Sequence, residues 1–415
     1  MLDRLKATYH EFPLKFWVLV GANFIDSVGG TMIFPFFALY VTKKFNVGMT
    51  EAGLLFAVFS ISGFFGRMIG GALTDKFGRR GIVLFGLVFS ALSSVAMGFV
   101  NELSLFYVLA FVVGLLGEVA GPARQAMVAD ILPKEQVGEG FGVMRVAGNL
   151  AWIVGPTIGG LLAAESYMLL FILDSITSLI TAFIVYKLVP ETRPEPSDER
   201  QSQSFMETVA GYRHVAADKM FVAFLLTSIL MLIVYQQMYN TLSVYLRDVH
   251  GVSAQGYGLM LSLDAATVVL FQFWVTRKIK PYPPMLMMLA GSLFFLVGFT
   301  MYGFVSAYAL FIVAILLITV GEMIVMPVSQ ALVARLAPED MRGRYMAFSG
   351  LAWTIPAAAG PWAAGIILDN YDPNWVWYAG GILCAVAAAG FYLLHRTAGA
   401  RFAADAAGEM SSAAV

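Results

Sequence analysis

Three acids stand in sequence that should not tolerate them. Asp26 lies about halfway along the first long apolar stretch, in NFIDSVGGTMIFPF, Glu118 midway along the fourth and Glu322 midway along the tenth. A carboxylate at the centre of a membrane-crossing helix costs about 2.5–3.5 kcal/mol on insertion scales, so each needs a reason. Burial favours the protonated acid, whereas a nearby arginine or bound cation favours the carboxylate. A group balanced between the two takes a proton on one side of a membrane and loses it on the other, as proton coupling requires. The plainer alternative is a satisfied internal hydrogen-bonder or half of a static ion pair. Arg145, about two turns into the fifth stretch, reads either as a switchable partner for Glu118 or Asp26 or as a snorkelling side chain. Asp174 and Asp264 sit closer to the ends of their stretches, where capping a helix or lining an outer vestibule suits them better. Arg67, one turn from a charged loop, is expected to pair at the surface.

The elements that position these residues follow from composition. The chain has 415 residues, 59% hydrophobic and only 13% charged; soluble domains carry about 25% charged residues. A soluble fold could not hide this much apolar surface. A spanning helix needs roughly 20 mainly apolar residues, and twelve stretches qualify: about 13–42, 51–74, 81–100, 103–131, 138–164, 167–189, 219–247, 254–279, 283–304, 307–337, 341–368 and 374–396. The expected fold is therefore an all-α polytopic membrane protein. The first stretch is long enough to span and is read as retained, not cleaved. The single cysteine, Cys384, excludes an internal disulfide and a thiolate metal cage.

Basic residues orient the chain. Of the 26 Lys and Arg, only Lys43, Lys44 and Arg247 fall in loops on the odd side; nearly all the others cluster at the N-terminus, the even-numbered turns, the central linker and the tail. The positive-inside rule then places both termini in the cytoplasm, in agreement with an even number of spans.

The chain also repeats itself. A shift of 205 residues overlays Tyr40 on Tyr245, Gly53-Leu54 on Gly258-Leu259, Pro122 on Pro327, Gln125-Ala126 on Gln330-Ala331, and Gly155-Pro156 on Gly360-Pro361. Each half is one six-span unit: residues 1–189 and 219–396 form two pseudo-symmetric six-helix bundles. Between them 190–218 reads as a polar linker whose Phe205–Ala217 part suits a short interfacial helix, and 397–415 as a disordered tail.

Gly71-Ala-Leu-Thr-Asp75-Lys-Phe-Gly78-Arg79-Arg80, between the second and third spans, resembles the signature of the major facilitator superfamily, and the resemblance runs over essentially the whole chain. The fifth span is similar to the antiporter signature of the drug:proton exporters, with Gly142, Gly155-Pro156 and Gly159-Gly160, although Ala151 replaces a usual glycine. The fourth span departs from that pattern, with Ala110 where an arginine is expected and Val113-Gly114 for a Gln-Gly pair. The resemblance implies alternating access by rocking of the two bundles, and it places Asp26, Glu118 and Glu322 at the midplane of a central cavity. It implies that Asp75 meets a helix dipole, and that Arg79 bridges to Asp130 at the foot of the fourth span. With Arg80, these residues would latch the bundles at the cytoplasmic face. The alternative for this loop is a pure topology determinant. The equivalent stretch of the second half, VTRKIKPYPP, lacks the acid. The Gly-Pro pairs are expected to break or bend the fifth and eleventh spans and to serve an outer seal, or else ordinary packing.

The abundant Phe and Met, 33 and 22 residues, suit a cavity that adapts to lipophilic guests, but most such side chains face lipid or neighbouring helices. The four histidines fall at span ends or in loops and form no metal cluster. No phosphate-binding Gly-Lys-Ser/Thr loop is present, which argues against ATP-driven transport. No cofactor and no enzymatic activity are expected. The leading expectation is a monomeric, proton-coupled exporter of lipophilic, cationic or neutral small molecules in a bacterial inner membrane. Its partners are protons, small-molecule substrate and the lipid bilayer; nucleic-acid binding is excluded by composition. The alternatives are a carrier of the same fold for a sugar, amino acid or lipid-linked metabolite, including by symport, and, remotely, a membrane sensor or enzyme.

Overall fold

The computed structural model describes residues 11–133, 136–192, 213–338 and 341–412, and the side chains of residues 75, 342, 343 and 398–412 fall outside that description. The linker's 193–212 and the terminal 413–415 lie outside it; residues 213–217, the end of the expected interfacial helix, are helical. The last helix, Trp375–Ser412, continues through most of the stretch read as a disordered tail.

Among the described residues there is helix and no strand. In hydrocarbon a backbone must satisfy its own polar groups, and a helix does so locally. Twelve helices are long and apolar enough to cross a membrane: Leu14–Phe45, Met49–Thr74, Arg79–Phe99, Leu103–Ile131, Val137–Glu165, Tyr167–Leu188, Lys219–Gln236, Ala254–Ile279, Pro284–Tyr302, Tyr308–Leu336, Arg344–Asn370 and Trp375–Thr397. They are the first to twelfth spans below.

The repeat is carried into the element bounds. Helices begin at Met49, Arg79, Leu103 and Val137 in the first half, and at Ala254, Pro284, Tyr308 and Arg342 in the second, each pair 205 residues apart. The first span is interrupted by a 3-10 turn, Phe34–Phe36, at Pro35, and resumes as Phe37–Phe45. The seventh is interrupted at the equivalent place and resumes as Leu242–His250. There the side chain of Thr241 donates to Gln237 Oε1 at 2.6 Å, and Tyr257 Oη donates to the Met238 carbonyl at 2.7 Å, giving that carbonyl a partner at the interruption.

The fifth span corrects one expectation. Val137–Glu165 is a single helix with Pro156 inside it, so the Gly155-Pro156 pair does not break it. Neighbouring hydroxyls take part in that turn: Thr31 Oγ1 donates to the Ala151 carbonyl at 3.1 Å and Ser262 Oγ to the Ile153 carbonyl at 2.9 Å. The eleventh span likewise runs through Pro361 as Leu351–Asn370, and its interruption falls at Gly350 instead.

The chain divides into two compact units. The first is residues 1–198 with 237–269 and 361–370; the second is 199–236, 270–360 and 371–415. The first unit thus includes residues 237–269 and 361–370 of the second half. Its core joins the first, third, fourth and sixth spans through Phe16, Leu87, Ala123, Met127 and Val185. The second unit is built on buried aromatics, with Trp377 centred 5.1 Å from Tyr302 and 6.5 Å from Phe299.

Glycines explain the first unit's composition. A side chain at Gly53 would lie 2.5 Å from the Trp362 Cα, and one at Gly365 2.6 Å from the Met49–Thr50 backbone. Their equivalents are Gly258, packed on Pro156, and Gly160, packed on Ala254 and Gln255. The second span thus crosses the end of the eleventh as the eighth crosses the fifth. Substituting Gly53 with valine is expected to force this crossing apart and to cost about 1–3 kcal/mol, the usual penalty of overpacking. A lowered melting temperature of the purified protein, not shared by an alanine at the open Gly21, will show it.

Candidate functional site

At the end of the second span the chain must turn within one residue. Gly78 does so at φ 88°, ψ 162°, a region that side chains avoid. The turn starts the third span, and its first amides are received by Glu191: Arg79 N–H donates to Oε1 at 2.8 Å and Arg80 N–H to Oε2 at 3.2 Å. A carboxylate on a helix N-terminus is also favoured by the helix dipole. Arg79, 6% exposed, sends Nε to Asp130 Oδ2 at 3.0 Å, and Thr192 Oγ1 donates to the same oxygen at 3.2 Å. Arg80 reaches the Tyr186 carbonyl. The expected Arg79–Asp130 bridge is therefore present and ties the third span to the fourth. Glu191 was missed; its signal was an acid directly after Pro190, where the sixth span ends. The side chain of Asp75 lies outside the described residues, and Gly71 has open space beside it.

The first unit holds two further ion pairs, one part-buried and one exposed. Arg124 Nη1 donates to Asp26 Oδ2 at 2.6 Å, and Arg67 Nε to Glu118 Oε2 at 2.8 Å. Ser178 Oγ of the sixth span donates to the other Asp26 oxygen at 3.0 Å and lies 3.5 Å from Ser90 Oγ of the third. Arg145, read either as a partner of these acids or as a snorkelling side chain, is exposed, and Arg67, expected to pair at the surface, is 58% exposed where it meets Glu118. The contacts of Asp26 also answer the missing arginine of the fourth span: the same span supplies Arg124 further along. Sequence reasoning weighed the acids and passed over this residue, although an arginine inside a span is as costly as an acid.

Glu118 sits where the fourth span is interrupted, between Leu103–Gly117 and Ala120–Ile131. The interruption borders a cavity of about 270 Å³ lined by Ser90, Ser93, Gly117, Glu118 and Arg124 among others. At about 30 Å³ per water, this polar space holds several. Asp174 and Asp264, assigned to capping or a vestibule, are instead buried, 8% and 5% exposed.

An aromatic group lies at the interruptions of the first and seventh spans. Phe34 is centred 6.2 Å from Trp152 and 6.4 Å from Tyr239, and Trp152 is 5.0 Å from Tyr239. Phe34 is 40% exposed and the other two are partly exposed, so ring faces are open to a guest. Such faces attract cations as well as apolar groups.

The antiporter-like glycines divide by role. Gly155 abuts Thr31, Gly159 abuts Met32 and Phe36, and Gly160 makes the crossing with the eighth span, whereas Gly142 has open space. At the other crossing Asp369 accepts Met49 N–H at 2.9 Å, Thr50 N–H at 2.7 Å and Thr50 Oγ1 at 2.6 Å, capping the second span from the eleventh. The repeat places Ala164 at the equivalent position, so only one crossing carries the cap. Asp369→Ala is expected to cost about 1 kcal/mol, the usual worth of a cap, read as a lower melting temperature. In the second unit, Glu322 is partly buried in the tenth span, and its neighbour Gly321 packs on Phe295.

A family model described as Major Facilitator Superfamily matches residues 19–361 and 241–411. The chain is 28% identical over 364 residues to an uncharacterized MFS-type transporter, YttB of Bacillus subtilis (strain 168), covering 86% of this chain and 89% of that one. It is 25% identical to a Na(+), Li(+), K(+)/H(+) antiporter of Planococcus maritimus, covering 83% and 87%. It is 24% identical to the multidrug resistance protein MdtH of Salmonella paratyphi B (strain ATCC BAA-1250 / SPB7), covering 89% and 91%. Among solved structures the nucleoside transporter NupG superposes with a TM-score of 0.77 at 13% identity, covering 92% of this chain and 99% of that one. The last likeness concerns the fold.

Proposed function

This chain belongs to the Major Facilitator Superfamily, and from that membership we propose that it is a proton-coupled exporter of lipophilic, cationic or neutral small molecules. It works by alternating access as a monomer in a bacterial inner membrane, with both termini in the cytoplasm. The observation that carries this reading is the Asp26–Arg124 pair beside a polar cavity inside the first bundle. An ion pair kept within a membrane bundle is costly as a structural device but useful as a switch. A proton or a cationic guest taken up beside this pair changes the local charge, and whichever binds changes the balance between conformations. The open faces of Phe34, Trp152 and Tyr239 suit the lipophilic part of such a guest. The relative named as a multidrug resistance protein agrees with this cargo. The Arg79–Asp130–Glu191 cluster serves as the gate on the cytoplasmic face, and the glycine crossings with Asp369 serve as the gate on the outer face.

A second reading is exchange of protons for monovalent cations, favoured by the relative named as a Na(+), Li(+), K(+)/H(+) antiporter. Proteoliposomes with an acidic lumen separate the two. Under our reading they accumulate a lipophilic quaternary ammonium dye and a protonophore abolishes the uptake, while sodium neither replaces the dye nor drives proton release. Sodium-driven proton release without dye uptake would establish the second reading. Dye uptake that needs a pH gradient of the same direction as the flux would establish symport.

A further inference from the structure

In the first unit, two carboxylates lie where the first, third and sixth spans meet, and one arginine serves them. Arg124 is committed to Asp26 at 2.6 Å. Asp174 is 8% exposed and has no basic partner among the described residues. Ser94 of the third span donates to the Phe171 carbonyl at 3.2 Å, one helical turn before Asp174. Gly29 of the first span approaches so closely that an added side chain would lie 2.8 Å from Asp174 Oδ1 and would also meet Thr177. Asp174 is one helical turn from Ser178, the residue that donates to Asp26, so the two carboxylates share one face of the sixth span. The first, third and fifth spans pack on this helix. Their other charged residues, Lys15, Lys43, Lys44, Arg79, Arg80, Glu139, Arg145 and Glu165, lie at or near span ends.

The charge count leaves one negative charge without a counter-ion in a buried place. Such a charge is costly enough that the group takes up a proton or a cation instead. Arg124 touches Asp26 and no base among the described residues touches Asp174, so a proton shared by the two acids falls on the one that no cation touches. We infer that the coupling proton of this transporter resides on Asp174, with Asp26 and Arg124 as the fixed ion pair beside it. The Asp174 carboxylate and one proton form the neutral acid; loss of that proton restores the carboxylate. The surplus charge of the pair is then balanced by the proton or by a cationic guest, one at a time, which is the exchange an antiporter needs. This rests on the proposal of proton coupling made above.

The test needs no cargo. Infrared difference spectra of the purified full chain in lipid, between acidic and alkaline buffer, report the C=O stretch of a protonated carboxyl. That band is expected to be lost in Asp174→Asn and kept in Asp26→Asn and Glu118→Gln. Should Asp174→Asn fail to fold, Asp174→Glu must keep a titrating band at a changed position. A band that titrates unaltered in Asp174→Asn, or disappears only in Asp26→Asn, overturns the inference. Failure of the underlying reading looks different: the Asp174 band titrates as expected but a pH gradient drives no transport. Conversely, gradient-driven transport undiminished in Asp174→Asn removes the inference and leaves that reading standing.

Discussion

Asp130→Ala will destabilise the protein by about 3–5 kcal/mol, the cost of leaving one member of a buried ion pair alone. The side chain of Arg79 is 7% exposed, so loss of Asp130 leaves a guanidinium that water reaches poorly. The hydroxyl of Thr192 loses its acceptor in the same change. Arg79 does not swing away freely, because its own amide is held by Glu191 and its position is set by the turn at Gly78. Replacing both partners, as Arg79→Leu with Asp130→Leu, will cost less than Asp130→Ala alone, since no charge is stranded. Thermal unfolding of the three purified variants checks the order. Equal melting temperatures for wild type and Asp130→Ala would show that the bridge is not a structural tie.

Asp26→Asn will lower gradient-driven transport by at least about tenfold, a loss of about 1.4 kcal/mol in coupling free energy. Asparagine keeps the shape and the hydrogen bond from Ser178 but cannot hold Arg124 as an ion pair. The guanidinium is then stranded beside the polar cavity, which disfavours the conformation that contains it. Binding of an uncharged lipophilic cargo will change little, because the rings of Phe34, Trp152 and Tyr239 are untouched. Arg124→Gln will fail in the opposite sense, keeping uptake of the cation while weakening its dependence on the gradient. Flux and equilibrium binding measured on the same preparations separate these outcomes. A gradient-insensitive wild type, or an Asp26→Asn variant as active as wild type, would remove Asp26 from the coupling site.

The parts of this protein that lipid dictates were legible in the sequence. Twelve apolar stretches became twelve spans because hydrocarbon admits few alternatives, and the 205-residue shift reappears as paired helix bounds such as Met49 and Ala254. The Arg79–Asp130 bridge was legible through the family resemblance, because both residues lie at span ends that it sets side by side. Side-chain pairing inside the bundle was not. Whether Asp26 meets Arg124 or Arg145 depends on helix rotations of a few tens of degrees, and a strongly apolar helix carries little amphipathic pattern to set them. Asp174 was misjudged for the same reason: its depth along the span was readable, but not the face it occupies. Of a break or a bend at the Gly-Pro pair of the fifth span, the continuous helix excludes the break, and the hydroxyls of other spans that meet that turn are not visible in the sequence. Asp369 escaped notice because its partners, the amides of Met49 and Thr50, are more than 300 residues away.

The central claim is that movement of a lipophilic cation one way moves protons the other way through the site formed by Asp26, Arg124 and Asp174. Proteoliposomes loaded with a pH-sensitive dye and given no initial gradient test it directly, because cargo entry and internal pH are followed together. Adding a quaternary ammonium dye outside is expected to make the lumen alkaline as the dye enters, and Asp26→Asn vesicles are expected to show neither signal. Dye entry at the wild-type rate with no change in internal pH would contradict the account.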